Sequence, residues 1–186
     1  MNKIAESELS RSFLIERLPE PLRYSSSHLQ ITDQHISRTN IRVRQVRDPR
    51  SREIAYALQK TTVITRQSTV LRKVEEIHLD ESERSTLIQL PGRESRKNRY
   101  FHDLDGKMMV FDVYLGSLLG LTIAKVDFCD DREMDNFEPP PFTIYEITND
   151  PFFTPAHLAD KNYEAVAEKI NSLSRLSPIL HEGPDE

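Results

Sequence analysis

SRKNRYFHDLDGKMMVFDVYLGSLLGLTIAKVDF, residues 95–128, is the stretch that decides the fold. Asp105-Gly106 near its middle is the strongest hairpin signal in the chain, since a tight two-residue turn wants residues that tolerate φ > 0. The flanking runs SRKNRYFHDL and KMMVFDVYLG then read as antiparallel strands, and LTIAKVDFC as another. Successive strand residues point to opposite faces, so i and i+2 share one. Lys97 and Arg99 share a face on the first strand, Val110, Asp112 and Tyr114 on the second, and Ile123, Lys125 and Asp127 on the third. A dry core would leave each of these charges unsolvated at a cost of several kcal/mol, so the face needs a wide polar lumen.

Upstream the same pattern recurs. NIRVRQV carries Arg42 and Arg44 on one face, and with SHLQIT it reads as a hairpin turning around Asp33 to Asn40. EIAYALQKT is a further strand, and TVLRKVEEIHL puts Arg72, Val74, Glu76 and His78 on one face. ELSRSFLI, residues 8–15, alternates Leu9, Arg11 and Phe13 against Glu8, Ser10, Ser12 and Leu14. Asp80 with Glu83, and Asp130 with Glu133, each open a short helix. A third helix is expected within residues 154–176, capped by Thr154 with Pro155 in first position, its apolar side made by Tyr163, Val166, Ile170 and Leu173. About eight hairpin-linked strands with three short helices predict an α+β, mainly β, single domain over residues 1–186, with 177–186 a flexible tail. Antiparallel strands so linked manage their edges best by closing into a barrel.

The chain of 186 residues has a formal net charge of -5, so a basic face is not a by-product of composition. It points to a local site for something carrying several negative charges. With only 5 glycines, a Gly-rich phosphate loop is not expected. Cys129 is the single cysteine, so no internal disulfide can form, which fits a reducing compartment. MNKIAESELSRS lacks the apolar stretch of a secretory signal, and no run approaches the ~20 apolar residues of a membrane span. The predicted setting is cytoplasmic, with no membrane partner.

With its strands placed, the sequence resembles the CYTH family, the triphosphate tunnel metalloenzymes. Residues 95–128 look like that family's basic strand, aspartate strand and closing "gLxlxEvEf" strand. NFEPPPFTIYEITNDPFFTPAHLA is similar to its F-x-P-P-x-W-x-x-x-E-V-T-x-D segment and following helix, and ELSRSFLIERLP to its opening E-x-E-x-K-F-L. The likeness spans most of residues 8–160. It implies a closed eight-stranded antiparallel barrel whose lumen binds a triphosphate with Arg and Lys and a divalent metal, Mg²⁺ or Mn²⁺, with Glu and Asp. Phosphoryl transfer asks for these groups, because it is mostly positioning and neutralisation of spreading negative charge.

Carried onto this sequence, the resemblance implies phosphate binding by Arg42, Arg44, Lys60, Arg72, Lys97 and Arg99, and metal binding by Glu8, Glu76, Asp112 and Asp127. The metal set is degenerate. Ser10 stands at the second glutamate of the opening motif and Ser12 at its lysine. Val74 and Val110 replace carboxylates, and the last strand's E-x-E has become Lys125-Val126-Asp127. Ile31 stands where the family has a tyrosine. An ammonium at position 125 repels a metal.

Two functions follow. One is a tunnel protein that binds inorganic tripolyphosphate, a nucleoside triphosphate or polyphosphate, with metal-dependent triphosphatase activity weak or lost. The other is a non-catalytic module that uses the barrel to bind a protein partner or an RNA 5′-triphosphate end. Nucleic acid is otherwise not an expected partner, and a homodimer is allowed. His78 shares the face of Glu76, where the alternative is a replacement ligand or a proton carrier, but a lone histidine on a strand reads as structural, and so does Cys129, with no His or second Cys nearby in sequence.

Overall fold

The computed structural model describes residues 7–66 and 69–176, and for 7, 8, 64–66, 69–71 and 176 the backbone alone. The expected tail, 177–186, lies outside the described residues. Nine strands form one antiparallel sheet: β1 (Ser7–Ile15), β2 (Leu29–Ile36), β3 (Ile41–Arg47), β4 (Ile54–Arg66), β5 (Thr69–Leu79), β6 (Gly92–Leu104), β7 (Lys107–Leu115), β8 (Thr122–Phe128) and β9 (Thr143–Glu146). Their spatial order is β5-β4-β3-β2-β6-β7-β8-β1-β9, and β1 also pairs with β5 through Ser7↔Lys73 and Glu8↔Arg72. The mainly β expectation stands, but the eight strands become nine. The added strand is the four-residue TIYE, which follows three prolines and lies beside Phe13–Ile15 of β1.

The β6–β7 hairpin turns where expected, with both Asp105 (φ 53°) and Gly106 (φ 83°) left-handed, as a type I′ turn requires. The β2–β3 hairpin differs. Its turn is confined to residues 37–40, and Asp33 sits inside β2, paired with Arg44 on one side and Ser95 on the other. A mid-strand carboxylate is disfavoured by propensity alone. The strand tolerates it because the facing arginine neutralises it.

Helix α1 (Glu81–Leu87) is fixed by the expected capping box, in which Asp80 accepts from the Glu83 N–H and the Glu83 carboxylate accepts from the Asp80 N–H. Helix α2 (Asp131–Asp135) has Asp130 as its cap. The single helix expected over 154–176 is instead broken into a 3₁₀ turn (Pro151–Phe153), α3 (Pro155–Leu158) and α4 (Tyr163–Leu176). Thr154 does precede α3, but its hydroxyl donates to the Pro151 carbonyl and caps nothing.

The apolar core lies on two sides of the sheet. Phe13, Tyr100, Met109, Phe111, Ala124 and Val126, all nearly inaccessible, form a cluster on the face of β1, β6, β7 and β8 opposite the charged one. Phe137 and Phe142, from the segment around the prolines, cover it. Burying each such large side chain stabilises the fold by about 1.5–3 kcal/mol. A second cluster joins Leu14, Tyr114 and Ile123 to Leu118, Leu121, Phe153, Leu158 and Val166, with Ile170 and Leu173 packed against it. Through it α4 and the short helices seal one end of the charged face. No helix among the described residues is long and apolar enough to cross a membrane.

Candidate functional site

The ladder registers assign one continuous face to the residues singled out by sequence. His35 lies opposite Arg42, which lies opposite Gln59, which lies opposite Glu76. Asp33 is opposite Arg44, Ile31 opposite Lys97, and Lys97 opposite Tyr114. Arg99 is opposite Asp112, Asp112 opposite Ile123, and Lys125 opposite both Val110 and Ser12. Since cross-strand partners share a face, Arg42, Arg44, Arg72, Lys97 and Arg99 all belong to it. Lys60 does not. It pairs with Ile41 and Glu75, one residue out of phase, and is exposed.

At the centre is a cluster of four cations and two carboxylates, of which Arg44, Lys97, Asp33 and Asp112 are buried and Arg42 and Arg99 half-buried. Arg44 donates from Nε and Nη2 to the two oxygens of Asp33, each at 2.7 Å. Arg42 reaches Asp33 only at 3.7 Å and gives its Nε to Gln59 Oε1 at 2.7 Å. Gln59 in turn donates to the Glu76 carboxylate. Asp112 accepts three bonds, from Lys97 Nζ at 2.6 Å and from Arg99 Nε and Nη2 at 2.7 and 2.8 Å. The Lys97 ammonium also lies 5.4 Å from the centroid of the Tyr114 ring. Asp33 is 1% exposed and Lys97 5%, so these charges have left bulk water.

The electrostatics are lopsided. Burial opposes ionisation of Asp33, but Arg42, Arg44 and Lys97 more than reverse this and hold it far below the usual carboxylate range. Asp112 is likewise held low, burial being outweighed by Lys97 and Arg99. Burial pushes Lys97 down to about 8; Asp112 opposes this, and Arg99 and Arg44 add to it. Arg42 is also pushed down, by burial and then by Arg44 and Arg99, with Asp33 opposing. Burial keeps His35 neutral, at about 4, with its Nε2 buried and without a hydrogen-bond partner. Two carboxylates do not balance four cations, so the cluster is short of negative charge.

The acids aligned with the metal-binding positions are not brought together. Asp112 is wrapped by Lys97 and Arg99, Asp127 is exposed and paired with Lys125 at 2.8 Å, and Glu76 accepts from Gln59. The Glu8 side chain lies outside the described residues; its backbone pairs with Arg72. Among the described residues no three His, Cys, Asp or Glu side chains gather to hold a metal ion. The donor chemistry does not fit Mg²⁺ or Mn²⁺. Hard divalent ions need carboxylate oxygens free of competing cations, and here ammonium and guanidinium groups hold Asp112 and Asp127, while Glu76 accepts from the Gln59 amide. Arg72 donates to the Thr148 carbonyl at 3.1 Å.

Sequence reasoning missed Asp33, His35 and Gln59. The signal was there in β2: had the turn been set at residues 37–40, the alternation of 31, 33 and 35 would have placed Asp33 on the face of Arg44.

Comparison with solved structures bears on the fold. The chain superposes on the hypothetical protein NE1496 with a TM-score of 0.58 at 23% identity, over 83% of this chain and 99% of that one. A second structure, of the inorganic triphosphatase NE1496, gives 0.56 at 24%, over 82% and 93%. The fold is shared with NE1496. No family model and no curated protein matches the chain.

Proposed function

We propose that the protein is a tunnel-type binder of phosphate-rich anions, of the tripolyphosphate or nucleoside triphosphate class, with metal-dependent triphosphatase activity weak or lost. In this reading the β1–β5 pairing closes eight strands into a CYTH-like barrel, with β9 added outside and the charged face as its lumen. The observation that carries it is the buried cluster of Arg42, Arg44, Lys97 and Arg99 facing only Asp33 and Asp112. Buried cations without matching anions cost several kcal/mol each, and a bound phosphate chain supplies what is missing. The resemblance to NE1496, an inorganic triphosphatase by description, supports the ligand class.

The same observation favours this reading over an RNA-end or protein-binding module. Cations for nucleic acid line open faces, where binding falls steeply with salt. Here Arg44, Lys97 and Asp112 are buried, which favours a small anion that enters. Calorimetric titration with tripolyphosphate and with ATP, each with and without Mg²⁺, tests the proposal. Binding that does not depend on metal supports it, and absence of binding to either ligand under both conditions removes it.

A further inference from the structure

The cluster's own carboxylates bear on how much anion it can take. Asp33 occupies the Nε/Nη2 edge of Arg44, and Asp112 occupies the same edge of Arg99 together with the Lys97 ammonium. The four cations thus carry an excess of two positive charges. One terminal phosphoryl group brings about 1.5 to 2 negative charges at neutral pH.

Beyond the cluster the face offers no comparable surplus among the described residues. The two cations Arg72 and Lys125 there stand beside the two carboxylates Glu76 and Asp127, with Lys125 bridged to Asp127, Arg72 donating to the Thr148 carbonyl and Glu76 accepting from Gln59. A second phosphoryl group would meet mixed charge there rather than a cradle. Among the described residues a buried polar atom without a partner on the charged face is His35 Nε2, on the residue that faces Arg42 across the ladder. A neutral imidazole can give a single hydrogen bond to a phosphoryl oxygen.

We infer that the buried cluster is charge-matched to one dianionic phosphoryl group, bound without metal, and that Asp33 is the residue that sets this limit. The inference rests on the phosphate-site reading above and narrows it: the ligand is recognised by its terminal phosphoryl group, and the rest of a polyphosphate chain adds little. Asp33 then acts as a specificity residue. It lowers the affinity for longer, more highly charged anions by standing as a fixed negative charge beside Arg42 and Arg44.

The test is calorimetry in a chelating buffer with phosphate, pyrophosphate and tripolyphosphate, on the wild type and on Asp33→Asn. For the wild type, pyrophosphate and tripolyphosphate should bind within about threefold of each other, because only one group enters the cluster. In Asp33→Asn the preference for tripolyphosphate over pyrophosphate should rise about tenfold, since a repelling charge is gone from a site of low dielectric. A wild-type affinity that climbs more than about tenfold from pyrophosphate to tripolyphosphate overturns the inference, and so does an unchanged ratio in the variant. Should Asp33→Asn not fold, the wild-type series decides alone. If the wild type binds none of the three anions, the phosphate-site reading itself fails, and this inference with it.

Discussion

Asp33 and Arg44 face each other directly across the β2–β3 ladder, locked by two hydrogen bonds of 2.7 Å with the carboxylate 1% exposed. The pair is an internal reference charge for the whole inner face. Arg44 is satisfied by it, while Arg42, on the same strand two residues earlier, reaches Asp33 only at 3.7 Å. The less compensated arginine is the one with most to gain from a ligand.

Arg42→Ala should therefore weaken tripolyphosphate binding by about 30-fold or more, the loss expected when one partner of a desolvated charge pair is removed. Lys60→Ala, on the opposite face, should leave it unchanged. Parallel titration calorimetry of the two variants checks this, and equal losses would contradict the face assignment.

Acid should unfold the protein through His35 first and then through Asp33 and Asp112. Both carboxylates are held below the ordinary 3.8 in the folded state. Their contribution is complete above that unfolded value and is lost as pH falls through it toward the lowered folded values. Urea midpoints should begin to fall below about pH 6.5, where His35, neutral when folded down to about 4, binds a proton in the unfolded chain, and should drop further below about pH 4 as the carboxylates are lost. Asp33→Asn should start lower, because it leaves Arg44 buried and unpaired, and should fall less steeply in acid.

Binding should also weaken on the alkaline side. Lys97 is pushed down to about 8 by burial, so the free protein loses this ammonium as pH rises through that value. An anion prefers the protonated form, and affinity should decline from about pH 7 to about pH 9. Lys97→Arg, with a group that stays charged over this range, should flatten the profile. Affinity measured across the range in both proteins is the check.

Metal-dependent hydrolysis should be recoverable if lost ligands are its cause. Ser10 lies directly across from Asp127, and Ser12 across from Lys125. Ser10→Glu with Lys125→Glu puts carboxylates where Asp127 can join them and removes the competing ammonium. The double variant should show Mn²⁺-dependent release of phosphate from tripolyphosphate at least about tenfold above wild type. No gain would sink that explanation and leave the binding proposal untouched.

The seal at the end of the face depends on Gly120. Its φ is +107°, and a Cβ there would come within 2.8 Å of the Tyr163 ring at the start of α4. Gly120→Ala should cost about 1–3 kcal/mol from backbone strain alone, and more if α4 shifts. Thermal unfolding reads the loss.

Much of this was legible in the chain. Alternation located β3, β5, β6, β7 and β8 and their charged faces, and Asp105-Gly106, the Asp80–Glu83 capping box and the Asp130 cap set turns and helix starts. Three features were not, for identifiable reasons. β9 is four residues long, too short to show a period, and forms through its register with β1. The break between α3 and α4 falls in a stretch whose apolar spacing still reads as helical. Asp33 looks like a turn residue by type, and only its tertiary partner Arg44 makes it a strand residue. The site showed the same limit. The resemblance implied metal binding by Asp112, and in the fold Lys97 and Arg99 surround that carboxylate.

The central claim is that a phosphate-type anion occupies the buried cationic cluster. A crystal soaked with tripolyphosphate in the absence of divalent metal tests it most directly. The account predicts phosphoryl density within hydrogen-bond reach of Arg42 and Lys97, with the Asp33–Arg44 pair intact. An anion bound only on the outer surface, with the cluster empty, would contradict it.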